Sequence, residues 1–332
     1  MGEVLIRTQS LRTWFPKRKS LLGKPGAWLK AVDDVSLTIY RGECLGLAGE
    51  SGCGKSTLGR TILQLVKPRS GSVRFDGTAL RNLDFRQLQP FRPRMQMVFQ
   101  DPRSSLNPKM TMLKILAEAI RANPDHDGDS ILDQAVELAD MVDLRPEHLF
   151  RYPHEFSGGQ QQRICIARAL ATCPDFIVFD ESTSALDVSV QAQILNLIKR
   201  LKQRLGLTYL FISHDLNVLA QVCERIAVMY AGQIVEIQES GRLFSSPGHP
   251  YTRGLRDAVP IADPEAKQTF VSIKGEVPSL VDPPAGCRFH PRCDFADRLC
   301  ATRVPELQRL ERHRSWIRCH RYRQLNFNQE RR

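Results

Sequence analysis

The sequence predicts an α/β fold with an antiparallel β portion at its start, a helical insertion in its middle and a C-terminal extension of different make-up. Three observations point that way. A glycine-rich turn joins an apolar strand to a helix at ECLGLAGESGCGKSTLGRTILQLV. Short apolar strands alternate with helical periodicity between residues 93 and 240, the pattern of a mostly parallel sheet flanked by helices. After residue 245, Pro, Gly and Arg replace that pattern.

The elements follow in chain order. VLIRTQSLRTWF (4–15) and VDDVSLTIYRG (32–42) alternate as strands around a basic loop, PKRKSLLGKPGAW. GSVRFDG (71–77) is a further strand that runs into a turn. PRMQMVFQDP (93–102) reads as a strand ending at Gln100, with Pro102 stopping it. Residues 103–156 lack β pattern, and MLKILAEAI and SILDQAVELADMV space their apolar residues as helices do. DFIVFDE is a buried strand, VQAQILNLIKRLKQRL a helix, LTYLFISHD another apolar strand, and RIAVMYAGQIVEIQ a hairpin turning at glycine.

The bulk numbers narrow the partners. The chain has 332 residues and a net charge of +11. That charge suits nucleic acid, an anionic membrane surface, or solubility alone, and arginines concentrated after residue 287 carry part of it. No apolar run reaches the length of a membrane span. The N-terminus lacks a signal-peptide layout, so a cytoplasmic location is expected. Cys44, Cys53, Cys165, Cys173 and Cys223 sit among apolar neighbours and read as small buried hydrophobes. No internal repeat is present, and there is one phosphate loop.

Two segments carry chemistry on their own. Gly49-Glu50-Ser51-Gly52-Cys53-Gly54-Lys55-Ser56, followed by Thr57, matches G-x-x-x-x-G-K-[ST] between a strand and a helix. Its backbone N–H groups can wrap phosphates, Lys55 can reach the β/γ oxygens, and the Ser56 hydroxyl can ligate Mg²⁺. In DFIVFDES (175–182), Asp180 ends the strand where it can hold Mg²⁺, and Glu181 stands where a general base would polarise water. A third segment, EFSGGQQQR (155–163), raises a question. Ser157, Gly158, Gly159 and Gln160 open a helix, and a helix start is a plausible anion seat. One chain thus carries two phosphate-directed segments.

With Gln100, FSGGQ (156–160), the FDE strand, SALD (184–187) and ISHD in that order, the chain resembles the nucleotide-binding subunit of ATP-binding-cassette transporters. GESGCGKSTLGR, VFQDPRSSLNP, SALDVSVQAQILNL, FISHDL and HPYT are similar to the dipeptide/oligopeptide/nickel importer group. The resemblance implies a P-loop NTPase core (RecA-like) with an antiparallel β subdomain and an inserted α-helical subdomain at about 101–160. The cassette then spans 1–245 and the extension 246–332. It implies an ATPase that pairs head to tail with a second homologous ATPase subunit. Ser157, Gly158, Gly159 and Gln160 would grip the ATP held by the partner's phosphate loop, so each nucleotide site is shared. Phe15 would stack on adenine, with Trp14 as the rival; Gln100 would sense Mg²⁺ and the attacking water; His214 would donate to the γ-phosphate; Asp187 would lie at the dimer interface. Ser182 stands where the family's DEPTSALD has proline. Two membrane permease subunits and an extracytoplasmic solute-binding protein complete the implied assembly. The location is the cytoplasmic face of the inner or plasma membrane, and the activity is uptake of di- and oligopeptides. Alternatives are a nickel or other small-solute importer of the same family, and a soluble nucleic-acid-linked ATPase of the same fold. The nucleic-acid reading is opposed by the lack of a coiled-coil insertion or second cassette. An exporter is opposed by the absence of fused membrane helices.

The extension carries C-x5-C-x6-C-x18-C at Cys287, Cys293, Cys300 and Cys319. In an intracellular protein such clustering argues for a metal rather than disulfides. The residues leave two readings open: a structural Zn²⁺ site, with His290 or His320 as extra ligands, or a thiolate-bound iron–sulfur cluster. The importer resemblance implies a 4Fe–4S cluster. A metal would stabilise a module poor in apolar residues.

Overall fold

The computed structural model describes residues 2–17, 27–123, 126, 130–258, 273–310 and 315–325. Most of the expected basic loop after Pro16 lies outside them. The chain forms two compact units. The first comprises Met1–Leu5, Ile39–Cys44 and Asn82–Ile212; the second comprises Ile6–Thr38, Leu45–Arg81 and Ser213–Arg332.

In the first unit three parallel strands run Met95–Val98, Phe176–Asp180 and Thr208–Ile212, with Phe176–Asp180 in the middle. The middle and last strands are buried along their whole length, which is why they read as unbroken apolar runs. Phe179 packs edge-on to Tyr209 at 5.0 Å and stacks on Phe211 at 5.4 Å. Arg41 and Arg94 both pair with Asp175, at 3.1 and 2.6 Å, just before the middle strand. The helical insertion contains Met112–Arg121, Ile131–Met141 and Gly158–Leu170. Met112, Ile115, Leu116 and Ile120 lie at i, i+3, i+4 and i+8, and all are buried. Arg163 fastens the insertion by donating to the Val142 carbonyl at 2.7 Å and to Asp143 at 2.6 Å. The long helix Val188–Leu205 ends at Gly206, whose φ of 65° supplies the left-handed turn that stops a helix.

The second unit holds two sheets. One is ordered Trp28–Tyr40, Val4–Pro16, Ser70–Phe75 and Thr78–Ala79. In the other, Cys44–Ala48 runs parallel to Arg225–Tyr230. That strand turns back into Gln233–Glu239 through Ala231 and Gly232, with φ values of 43° and 84°. Two positive φ values in a two-residue turn match the twist of a hairpin.

Three expectations need correction. The strand at 93–102 stops at Val98, two residues short of Gln100. Cys173 is exposed, unlike the other four scattered cysteines. The extension also does more than carry thiols: Ser315–Ile317 pairs antiparallel with Gln233–Glu239 and in turn takes Gln308–Leu310 as an edge strand. Backbone hydrogen bonds to an existing sheet edge give this apolar-poor segment a seat that its own composition could not supply.

Candidate functional site

The phosphate loop lies in the second unit. The buried strand Cys44–Ala48 enters it, and the helix Lys55–Ile62 leaves it. Its shape is demanded at two positions. A Cβ on Gly49 would stand 2.2 Å from the Met229 carbonyl oxygen, and one on Gly54 would stand 2.0 Å from that of Ala31. Gly52 meets nothing within 4 Å, so the loop is open on that side. Lys55 is buried, and its ammonium donates to the carbonyls of Gly49 at 2.7 Å and Glu50 at 3.0 Å. Ser56 and Thr57 are half-buried at the helix start. Cys53 is buried, and desolvation outweighs nearby Lys55 to raise its pKa, so it stays a neutral thiol.

Glu50 has a role the motif did not announce. Its carboxylate accepts two hydrogen bonds from Arg292, at 2.8 and 3.1 Å, and its backbone N–H donates to the Tyr251 hydroxyl at 2.9 Å. The only sequence signal was Tyr251 in HPYT.

At the start of the same unit, Trp14 donates its indole N–H to Asp33 at 3.2 Å and is flanked by Lys30 and Arg69, whose charges lie 5.4 and 5.1 Å from its ring. Phe15 is 37% exposed, as is Trp28, which Arg69 covers at 4.1 Å. Of the two expected adenine candidates, Trp14 is held by these contacts and Phe15 presents an open face. His214 is exposed.

The first unit holds the acids. Asp180 is buried at the end of its strand. Glu181 follows with a φ of 45°, a left-handed conformation uncommon for a side-chain-bearing residue. Such an outlier is held by its surroundings. Its N–H donates to the Ile212 carbonyl at 3.1 Å, and Ser184 donates through its N–H and hydroxyl to the Glu181 carbonyl at 3.2 and 2.9 Å. Gln100 donates to the Glu181 carboxylate at 3.3 Å. Ser182, in the family's proline position, is buried, and its hydroxyl has no hydrogen-bond partner among the described residues.

Ser157 caps the helix Gly158–Leu170 reciprocally: its hydroxyl accepts from the Gln160 N–H at 3.4 Å, and the Gln160 side chain accepts from the Ser157 N–H at 3.0 Å. Ser157 is exposed. A Cβ on Gly159 would reach 2.4 Å from Val190, whereas one on Gly158 would find its nearest neighbour, Leu186, at 3.7 Å. Asp187 is exposed at the start of the helix Val188–Leu205.

Cys287, Cys293, Cys300 and Cys319 line one pocket in the second unit with Phe289, Phe295 and His249. Burial raises the pKa of all four thiols, to about 11 for Cys293 and about 12 for Cys319; neighbouring thiols add to this at Cys287, Cys293 and Cys319, and the Asp297 carboxylate adds to it at Cys300. Among the described residues, no group of three His, Cys, Asp or Glu side chains is arranged to hold a metal ion. His290 Nδ1 bonds the Cys287 carbonyl and His320 Nε2 bonds that of Arg303, both at 2.9 Å, so each imidazole has one nitrogen engaged. Neither expected metal reading of the extension, the 4Fe–4S cluster or zinc, therefore finds such an arrangement among the described residues.

No helix among the described residues is long and apolar enough to cross a membrane. The ABC transporter family model matches residues 32–184, and that of the oligopeptide/dipeptide transporter C-terminal region matches residues 235–300. A peptide import ATP-binding protein of Brucella abortus is 50% identical, over 85% of this chain and 89% of its own. The oligopeptide transport ATP-binding protein AppF of Bacillus subtilis is 42% identical, over 96% of this chain and 98% of its own. Among solved structures, a dimeric ATP-binding cassette in a post-hydrolysis state with ADP and Pi has a TM-score of 0.62 at 30% identity, covering 71% of this chain and 99% of that one.

Proposed function

The chain belongs to the ABC-transporter ATPases, in the group of peptide and oligopeptide import ATP-binding proteins, and we propose that it powers uptake of di- and oligopeptides. The observation that carries the peptide reading is that the likeness runs through the extension, as far as residue 300, and not only through the cassette. In this reading residues 1–245 form the cassette and 246–332 the importer-type extension. The partners are a second homologous ATPase subunit, two membrane permeases and an extracytoplasmic solute-binding protein. The chain sits peripherally on the cytoplasmic face of the membrane.

The residue roles follow from chemistry. Lys55 and the backbone of the loop neutralise and orient the β- and γ-phosphates. Ser56, Asp180 and Gln100 offer the all-oxygen donor set that Mg²⁺ prefers, and Mg²⁺ supplies charge neutralisation on the phosphates. Glu181 accepts the proton of the attacking water, and its carboxylate is kept in place by Gln100. His214 donates to the γ-phosphate. Phe15 lies against adenine. Ser157, Gly158, Gly159 and Gln160 present a capped helix start, exposed at Ser157, to the nucleotide of the partner subunit, and Asp187 lies near that interface. Binding of ATP thus joins two chains, and hydrolysis removes the γ-phosphate that joins them.

In this reading the extension holds a 4Fe–4S cluster, with zinc as the alternative. Tetrahedral Zn–S bonds of about 2.3 Å require sulfurs about 3.8 Å apart. A 4Fe–4S cluster spreads its ligands, since each thiolate binds a different iron. Its ligands would be Cys287, Cys293, Cys300 and Cys319, which line one pocket. The raised thiol pKa values mean that loading must release protons.

Reconstitution in vesicles with the partner subunits tests the function. Peptide-loaded binding protein should raise ATP turnover and drive peptide into the lumen. Nickel-loaded binding protein as the better stimulant would overturn the peptide reading.

A further inference from the structure

We propose that Arg292 and Tyr251 are positioning residues for the phosphate loop, through which the C-terminal extension sets the affinity for MgATP. The inference rests on the reading of this loop as the ATP-binding loop.

Glu50 is the second residue of that loop. An acid there carries the same sign as a triphosphate and would repel it. Arg292 removes the conflict with a two-pronged grip on the carboxylate, at 2.8 and 3.1 Å. Its side chain is only 5% exposed, so water screens the pair weakly. The guanidinium is itself aimed, since its Nε donates to the Lys274 carbonyl at 2.9 Å. Arg292 stands next to Cys293 at the end of a short turn, His290–Arg292, within the thiol-bearing module.

A second part of the extension holds the same residue from behind. The Tyr251 hydroxyl accepts the Glu50 backbone N–H at 2.9 Å. Tyr251 is fully buried, and its ring lies 4.5 Å from that of Tyr230 and 5.4 Å from that of Phe289. Neither the Glu50 N–H nor its carboxylate is then offered to phosphate. What Glu50 offers is its carbonyl, which accepts from the Lys55 ammonium at 3.0 Å. The line of contacts therefore runs from Arg292 and Tyr251 through Glu50 to the cation that meets the phosphates. A few tenths of an ångström at Glu50 move Lys55.

The test is equilibrium binding of MgATP to the full-length chain, with thermal unfolding as the check on folding. Arg292→Gln should weaken binding about tenfold, by exposing the Glu50 charge to the phosphates. Arg292→Lys, which keeps the charge but not the fork, should fall between it and wild type. Tyr251→Phe, which keeps the ring, should weaken binding about threefold. In a Glu50→Gln background, Arg292→Gln should add less than about twofold, because the pair acts as a unit. A purely structural role would lower melting temperature without this coupling. The inference is overturned if folded Arg292→Lys and Tyr251→Phe both bind MgATP within twofold of wild type. It is equally overturned if the Glu50 and Arg292 effects multiply. Lys55→Ala separates the two levels. Weak binding there with normal binding in the Arg292 and Tyr251 variants sinks only this inference; normal binding in Lys55→Ala sinks the reading of the loop itself.

Discussion

Two helix starts in this chain are built in opposite ways. The helix Lys55–Ile62 begins with Gly54 as its cap and no side-chain hydrogen bond to close it, and the loop before it is bent by glycines that no other residue could replace. The helix Gly158–Leu170 closes its own first turn with Ser157 and Gln160 and needs glycine only at Gly159, where Val190 approaches. The first start is a nest shaped from within by its glycines, with no side chain closing it. The second is already closed by its own side chains, which is what the proposed role toward another chain's nucleotide asks of it. A helix terminus alone does not say which kind it is. The residues that close it do.

The largest effect should come from the acid proposed as general base. Glu181→Gln should slow ATP hydrolysis by about 10²–10⁴-fold, the usual worth of a general base, with MgATP affinity within twofold of wild type. Loss of affinity to match would show Glu181 to be part of the binding surface instead. Next, Gly159→Ala should destabilise the fold by about 1–3 kcal/mol through overpacking on Val190, while Gly158→Ala should not. Adding Val190→Ala should restore the melting temperature. Equal melting temperatures for the two alanine variants would erase the distinction between the glycines.

A third helix start supports the nest, and it responds to acid. His249 caps the helix Pro250–Asp257, its Nδ1 accepting from the Tyr251 N–H at 3.1 Å. Burial pushes its pKa down to about 3. Between pH 6.5 and 3 the unfolded chain binds a proton at this residue that the folded chain refuses, so stability falls as pH falls. The slope should be about 1.4 kcal/mol per pH unit steeper than in His249→Asn, which keeps a cap without the titration. Denaturant melts from pH 7 to pH 4 measure it, and parallel curves would contradict it. The smallest effect is at Ser182, where Ser182→Ala should raise stability by about 1 kcal/mol by removing a buried, unpartnered hydroxyl. A drop in the melting temperature would show that the hydroxyl has a partner.

Both helix starts were legible in the sequence because their information is local. GESGCGKS names its turn, and FSGGQ marks a helix start, although the cap that closes it was not read from the sequence. The strand ending at Asp180 was legible because burial on both faces leaves an unbroken apolar run. What was not legible is how the extension joins the second unit. Arg288 pairs with Asp33, Arg292 with Glu50 and Arg318 with Asp34, across 255, 242 and 284 positions. Nothing in a run of arginines after residue 287 says which acid each will meet, and the same run read equally well as solubility or affinity for a polyanion. The two strands added by the extension were hidden for a similar reason. Three-residue strands carry too little alternation to show a period, and they form because a sheet edge already exists.

The central claim is that the nest binds this chain's own ATP and the capped helix start serves another chain's. Measured together in a Glu181→Gln background, MgATP affinity and ATP-driven association decide it. Lys55→Ala should weaken affinity about 10–100-fold. Gly158→Asp should leave affinity within twofold yet abolish ATP-driven association with the partner ATPase subunit. If Gly158→Asp weakened the isolated chain's hold on ATP as Lys55→Ala does, both segments would serve one nucleotide on one chain, contrary to this account.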